Sequence, residues 1–208
     1  MATDIPEGGA RLTLADVKDL VEYERVREAF RRRIIELKAR RRVNVGDRVS
    51  LVFENRETAL SQVQEMVRAE RIVDPEKIQF EIDTYNAMIP DPGELSATLF
   101  IEITNAADVR SELDRLLGLD APGVVRFDLG GGGAADGRFE AGHSNASRIS
   151  AVHYVRFPFT PAQAAALADT RKPAWLAIEH PAYRHRTELS EVVRRELAAD
   201  LQAPLSAA

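Results

Sequence analysis

The sequence predicts an α+β fold: a mostly antiparallel sheet of about five strands, covered by helices, in a single domain. Three observations carry this. Residues 94–104 alternate strictly, with Leu95, Ala97, Leu99, Ile101 and Ile103 on one face and Glu94, Ser96, Thr98, Phe100 and Glu102 on the other, the period-two signature of a strand. Strand-like and helix-like segments intermix without the regular spacing of βαβ units, which favours antiparallel pairing. The chain is 208 residues long, 45% apolar and 29% charged, enough for one domain to bury a core without a disulfide or metal staple.

The elements follow in order. Residues 1–11 are a polar tail with Gly8 and Gly9, expected to be disordered, ahead of a domain over 12–202 and a second tail at 203–208. Thr13 and Asp16 have capping-box spacing. Apolar residues then recur at helical spacing from Leu14 through Val17, Val21, Tyr23, Val26, Phe30 and Ile34 to Leu37, with a break expected between Leu20 and Glu24. Val43 to Asp47 reads as a turn and strand start, and Val49, Leu51 and Phe53 alternate with Ser50 and Glu54. Residues 57–70 form a helix with Gln62, Glu65, Met66 and Ala69 on one face. Asp74 and Pro75 supply the cap and first-turn proline of the next, whose stripe is Ile78, Ile82, Tyr85 and Ile89. Pro90 to Gly93 stops it. Beyond the strand at 94–104, Asn105 caps a short helix through Leu117. Residues 124–129 are a strand, Gly130 to Gly137 a flexible connection, and 149–159 another strand. Thr160, Pro161 and Gln163 open a helix to Asp169. A strand at 175–179 and a helix at 189–201 close the pattern.

Composition removes whole classes of chemistry. With no cysteine, disulfides, cysteine-ligated zinc, cysteine-ligated iron–sulfur clusters and thiol nucleophiles are excluded. No apolar run approaches the roughly 18 residues of a membrane helix, and the first residues lack signal-peptide character. The expectation is a cytoplasmic protein with no membrane contact. The net charge of −5 is unevenly spread: residues 25–42 hold nine basic groups against Glu28 and Glu36, so this segment carries +7 and the remainder −12.

Two polar sets are candidates for function. Glu65 and Glu81 lie on the two consecutive helices, Glu102 on the strand face that carries Ser96 and Thr98, and Glu54 and Tyr85 close by in the same blocks. If the helices cover that strand face, Glu65, Glu81 and Glu102 converge. One reading is an ion-pair network in which Arg56, Arg68 and Arg71 neutralise the acids; the other is an oxygen-rich site for a divalent metal such as Mn or Mg, or for a small ligand. The Glu-x-x-His signature of di-iron helix bundles is absent from these helices. The second set is Arg31, Arg32, Arg33, Arg40, Arg41 and Arg42, which can contact phosphate or a partner. The run lacks interleaved aromatics and the whole chain is acidic, which argues against nucleic acid as the main partner.

Other motifs resolve to ordinary structure. His143, His153, His180 and His185 read as surface or hydrogen-bonded residues, and Glu179 and His180, being adjacent on a strand, face opposite sides. No Gly-x-Ser-x-Gly elbow is present. Gly130 to Gly133 is not followed by Gly-Lys-Ser/Thr, so it reads as a linker.

Several segments together resemble one family: Glu22 to Glu24, Arg31 to Lys38, Phe53 to Arg56, Gln62 to Ile72, Tyr85 and Asn86, Pro90 to Thr98, Ile149 to Val152, and Tyr154 to Phe157. The chain resembles the uncharacterised bacterial family catalogued as domain of unknown function 3501, from about Leu14 to Leu201. The resemblance brings no established activity or site residues. It implies a context, since genes of that family are often found beside rubrerythrin-like and iron–sulfur oxidoreductase-like genes, and so a link to peroxide or redox physiology. The resulting expectation is a non-enzymatic binding or accessory protein of a bacterial redox or oxidative-stress system, partnered by a redox protein or by itself. The alternatives are a carboxylate-based metal-binding enzyme or sensor, and a nucleic-acid binder using the Arg-rich helix.

Overall fold

The computed structural model describes residues 11–140, 144–145 and 148–202. The tails expected at 1–11 and 203–208 lie outside the described residues except for Arg11, whose guanidinium donates to the Asn86 and Ile89 carbonyls, both at 2.6 Å. His143 also lies outside them.

The first helical segment is broken earlier than its spacing predicts. A single 3₁₀ turn, Leu14–Asp16, precedes helix α1 (Leu20–Arg40). Asp16 accepts from the Thr13 backbone N–H at 2.8 Å, as capping-box spacing requires. Asp19 then starts α1 by accepting from the N–H groups of Val21 and Glu22, both at 2.8 Å. A hairpin follows, β1 (Arg42–Val45) and β2 (Val49–Glu54), then α2 (Arg56–Ala69), α3 (Pro75–Asn86) and β3 (Glu94–Ile101). Next come α4 (Val109–Arg115), β4 (Val125–Asp128), β5 (Ala134–Asp136) and β6 (Arg138–Phe139). The chain continues through β7 (Ser144–Asn145), β8 (Arg148–Ile149) and β9 (Val152–Pro158). It ends in α5 (Pro161–Ala168), β10 (Trp175–His180), β11 (Tyr183–Glu188) and α6 (Glu191–Gln202).

The fold is α+β and its strand pairings are antiparallel, as the sequence predicts. The strands divide between two main sheets: a five-stranded one in the order β1-β2-β3-β9-β6, and a four-stranded one in the order β11-β10-β4-β5. The second sheet is the departure from expectation. Two of its strands, β4 and β10, lie in predicted strand segments. β5 lies inside the glycine-rich stretch taken for a flexible connection, and β11 lies between the predicted strand at 175–179 and the closing helix, where no strand is expected. Gly130–Gly132 form a 3₁₀ turn that leads into β5. A Cβ on Gly132 would come within 2.5 Å of the Ala166 Cβ on α5, so this glycine is a packing contact as well as a turn. The hairpin glycine Gly46 sits at φ +75 against Tyr183 and His185 of β11, where no side chain fits.

The two sheets share one core. Leu51, Phe53, Leu95, Ala97, Leu99, Val155 and Phe157 of the first meet Val125, Phe127, Leu176 and Ile178 of the second. Phe127 is the hinge of the packing, with ring centroids 4.9 Å from Phe157, 5.2 Å from Phe159 and 5.6 Å from Phe53. A separate apolar cluster joins Leu12, Ala59, Leu60, Val63, Val67, Ile82 and Ile89, with Phe30 and Tyr85 packed against it. It forms the layer of α1, α2 and α3. Among the described residues, no helix is long and apolar enough to cross a membrane.

Candidate functional site

Strand alternation fixes what the other face of the five-stranded sheet carries. The register aligns Val52 with Thr98 and Thr98 with Tyr154 in one row, and Glu54 with Ser96 and Ser96 with Arg156 in the next. Ser50, Val52, Glu54, Ser96 and Thr98 are all buried, so the polar face of these strands is covered.

Glu54 is the unusual member. It ends β2, immediately before Asn55 caps α2, and only 3% of it is exposed. Its Oε1 accepts from the Thr98 hydroxyl at 2.7 Å. Its Oε2 is buried and has no hydrogen-bond partner among the described residues. Arg156, two strands away in the same row, turns elsewhere: it donates to Glu94 at 2.9 Å and to the Ala87 carbonyl at 2.6 Å. Ser96 donates to the Met88 carbonyl. Nearby, burial raises the Tyr154 phenol above its usual range, and the Glu54 and Glu140 carboxylates push it further. Burial likewise raises Tyr85, which also feels Glu81, Tyr154 and Glu70. Both phenols are therefore neutral at physiological pH.

The structure separates the remaining carboxylates. Glu65 is gripped by Arg27 through two bonds of 2.9 Å and by the Tyr23 hydroxyl at 2.7 Å. The Arg27 bonds hold its carboxyl below the usual range against the opposing effect of burial. Glu102 lies 3.0 Å from Arg42 and accepts from Ser50. Glu81 lines an open surface groove of about 370 Å³ together with Val73, Phe80 and the turn between α2 and α3. The convergence of Glu65, Glu81 and Glu102 is thus corrected: each has its own surroundings, and among the described residues no three His, Asp or Glu side chains assemble into a group that could hold a metal. The expected arginine partners also differ, since Arg56 pairs with Asp16 at 2.5 Å and Arg68 with Glu24 at 2.9 Å.

The Arg-rich run is corrected too. Arg41 is 1% exposed, donating to the Phe53 carbonyl at 2.9 Å and the Glu54 carbonyl at 3.2 Å while pairing with Asp200 and, at 3.6 Å, with Glu196. It staples α6 to the end of β2 and is no surface contact. Burial raises the Asp200 carboxyl even though Arg41 opposes that shift. Arg33 pairs with Glu57, Arg40 with Glu196 and Arg42 with Glu102. Only Arg31 and Arg32 of the six form no ion pair among the described residues, so the cationic surface is smaller than the sequence implies. Two of the four histidines are hydrogen-bonded, buried on strands: His153 to the Ser150 carbonyl and His180 to the Leu117 carbonyl, both at 2.8 Å.

Of the five candidate site residues, only Glu54 is fully buried. Thr98 was visible as a residue on the covered strand face, and Tyr154 was not singled out at all. Its signal was the alternation of β9, which puts it on the same side as Arg156. Four of the segments that carry the family resemblance meet here: Phe53 to Arg56, Tyr85 and Asn86, Pro90 to Thr98, and Tyr154 to Phe157.

The family model described as protein of unknown function (DUF3501) matches residues 11–201. The chain belongs to this family. It is also similar to a solved structure of a novel protein of unknown function from Burkholderia pseudomallei K96243. That likeness has a TM-score of 0.85 and 32% sequence identity, and covers 93% of this chain and 100% of the other. No curated protein matches the chain. The solved structure shares the fold, and neither comparison names an activity.

Proposed function

We propose that this family member is a non-enzymatic binding protein, an accessory or sensor of a bacterial redox or oxidative-stress system acting in the cytoplasm, and that Glu54 is its recognition element. The single observation behind this is the buried Glu54 Oε2 without a donor. A buried carboxylate left half-satisfied is costly unless a cation or a set of donors completes it, and a fold retains such a group where a ligand completes it. A compact protonated amine or ammonium ion matches the surroundings. The carboxylate meets its charge and accepts its N–H bonds through the oxygen that Thr98 leaves open. The redox affiliation rests on the family resemblance. A divalent metal is the second occupant for which the carboxylate speaks, with fewer ligands in reach than such an ion takes.

The test is thermal unfolding and calorimetric titration of the wild type and Glu54→Gln with ammonium, small alkylamines, Mn²⁺ and Zn²⁺. An amine is expected to raise the wild-type midpoint, as any ligand selective for the folded state must, and to leave Glu54→Gln unmoved. Ligand-free Glu54→Gln is expected to be at least as stable as the wild type. Equal responses from both proteins, or a Glu54→Gln protein that is simply less stable, would overturn the reading. Stoichiometric metal in elemental analysis, lost in Glu54→Gln, would replace the amine by the metal.

A further inference from the structure

Helix α1 has a second stripe that the fold leaves unused. The body is met along Leu20, Tyr23, Arg27, Phe30, Ile34 and Leu37. Diametrically opposite run Val21, Arg25, Glu28, Arg32, Ile35 and Ala39, all exposed, with Val21 at 63% and Ile35 at 62%. Their spacing of 4, 3, 4, 3, 4 is that of a coiled-coil seam. Arg25, Glu28 and Arg32 form no ion pair among the described residues, whereas the arginines on the flanks and at the end of the helix (Arg27, Arg33, Arg40) are paired with the body.

We propose that this stripe is a self-association surface on which two copies of the chain pair their α1 helices antiparallel about a two-fold axis near Phe30. The occupant is fixed by complementarity of the stripe with its own reverse. In that register each residue faces the one whose number completes a common sum: Val21 packs on Ala39 of the second copy, the Arg25 stem on Ile35, and Glu28 on Arg32. Symmetry repeats every contact, so two reciprocal Glu28–Arg32 ion pairs sit at the centre with apolar contacts at both ends. This is the self-complementarity an isologous interface requires. Ala29, beside the axis, leaves room for close approach. On the flanks, offset from this sum, Glu22 meets Glu36 on one side and Arg31 meets its own copy on the other; these like charges oppose the pairing, so a Kd on the order of micromolar is expected rather than an obligate dimer. The inference is independent of the Glu54 reading, because α1 presents this stripe away from the sheet.

Sedimentation equilibrium of the full chain at about 100 μM, where a micromolar complex is largely formed, decides it. The wild type is expected as a dimer. Arg32→Glu, which sets Glu against Glu twice, is expected to weaken association about a hundredfold and to leave a monomer. The exchange Glu28→Arg with Arg32→Glu restores both ion pairs and is expected to restore the dimer. A monomeric wild type, a dimer indifferent to Arg32→Glu, or a charge exchange that fails to restore association would each overturn the proposal.

Discussion

The two faces of the five-stranded sheet are differently covered and differently built: inner-face residues are buried from β1 to β9, outer-face ones fully only in the middle, on β2 and β3. The inner face, against the second sheet, is aromatic and aliphatic, with Phe53 and Phe157 interlocked with Phe127 of the second sheet. The outer face, beneath the helical layer, carries Ser50, Glu54, Ser96 and Thr98. Burial on the inner face removes apolar surface from water and stabilises directly. Burial on the outer face desolvates polar groups, which stabilises only where each finds a partner. Most do: Ser96 has the Met88 carbonyl and Thr98 has Glu54. Glu54 Oε2 does not. The difference teaches where to look for function in this fold, because an inner-face residue is accounted for by packing, while Glu54 is not accounted for by the folded chain alone.

The largest effect should come from the inner face. Phe127→Ala empties the meeting point of the two sheets and is expected to cost about 4 kcal/mol in urea unfolding; a cost near 1 kcal/mol would mean that the sheets do not depend on this aromatic cluster. Arg41→Ala comes next, at about 3 kcal/mol, because it strands the carboxylate of Asp200 and two carbonyl acceptors. Combining it with Asp200→Ala should recover part of that loss in a double-mutant cycle, and strict additivity would argue against the staple. Glu65→Ala is smaller, about 1 kcal/mol, since its side chain is 32% exposed and water compensates. Glu54→Gln is the one outer-face change of opposite sign, expected to raise stability by about 1 kcal/mol through loss of a buried charge. A destabilisation of that size would remove the asymmetry between Glu54 and its neighbours.

The smallest effect is in pH dependence. Folding holds the Glu65 carboxyl below its ordinary value of 4.5, so the unfolded chain takes up this proton first as pH falls. The Glu65 contribution is therefore complete above pH 4.5 and is lost as pH drops through the lowered folded value. Urea midpoints from pH 7 to 3 should fall more steeply for the wild type than for Glu65→Gln. Parallel curves would show that the Arg27 grip does not persist in solution.

Much of this was legible in particular residues. Thr13 with Asp16, Asp74 with Pro75, and Thr160 with Gln163 announce their helices because a cap is a local hydrogen bond between residues at most three apart. The alternation from Glu94 onward gives a covered strand and the correct outward set of Ser96 and Thr98. β11 was missed because Tyr183 to Glu188 is charged and exposed along much of its length, so it has no apolar alternation to announce it. Its reality comes from pairing with β10. The site was half legible: Glu54 and Tyr85 were candidates by their polar neighbourhoods, while the convergence drawn for Glu65, Glu81 and Glu102 assumed that acids on adjacent elements meet.

What the sequence by itself determined is everything governed by neighbours within a few positions: helix starts, strand faces, the absence of thiol chemistry and the family to which the residues point. What only the tertiary structure decided is the partner of each charge. Arg27 rather than Arg56, Arg68 or Arg71 holds Glu65, Arg41 is drawn inside by Asp200, and Glu54 is left with an oxygen unmet. The reason is physical. Caps and periodicities are settled by backbone geometry over one or two turns, whereas a long arginine reaches whichever carboxylate packing brings near it, and packing is a property of the whole chain.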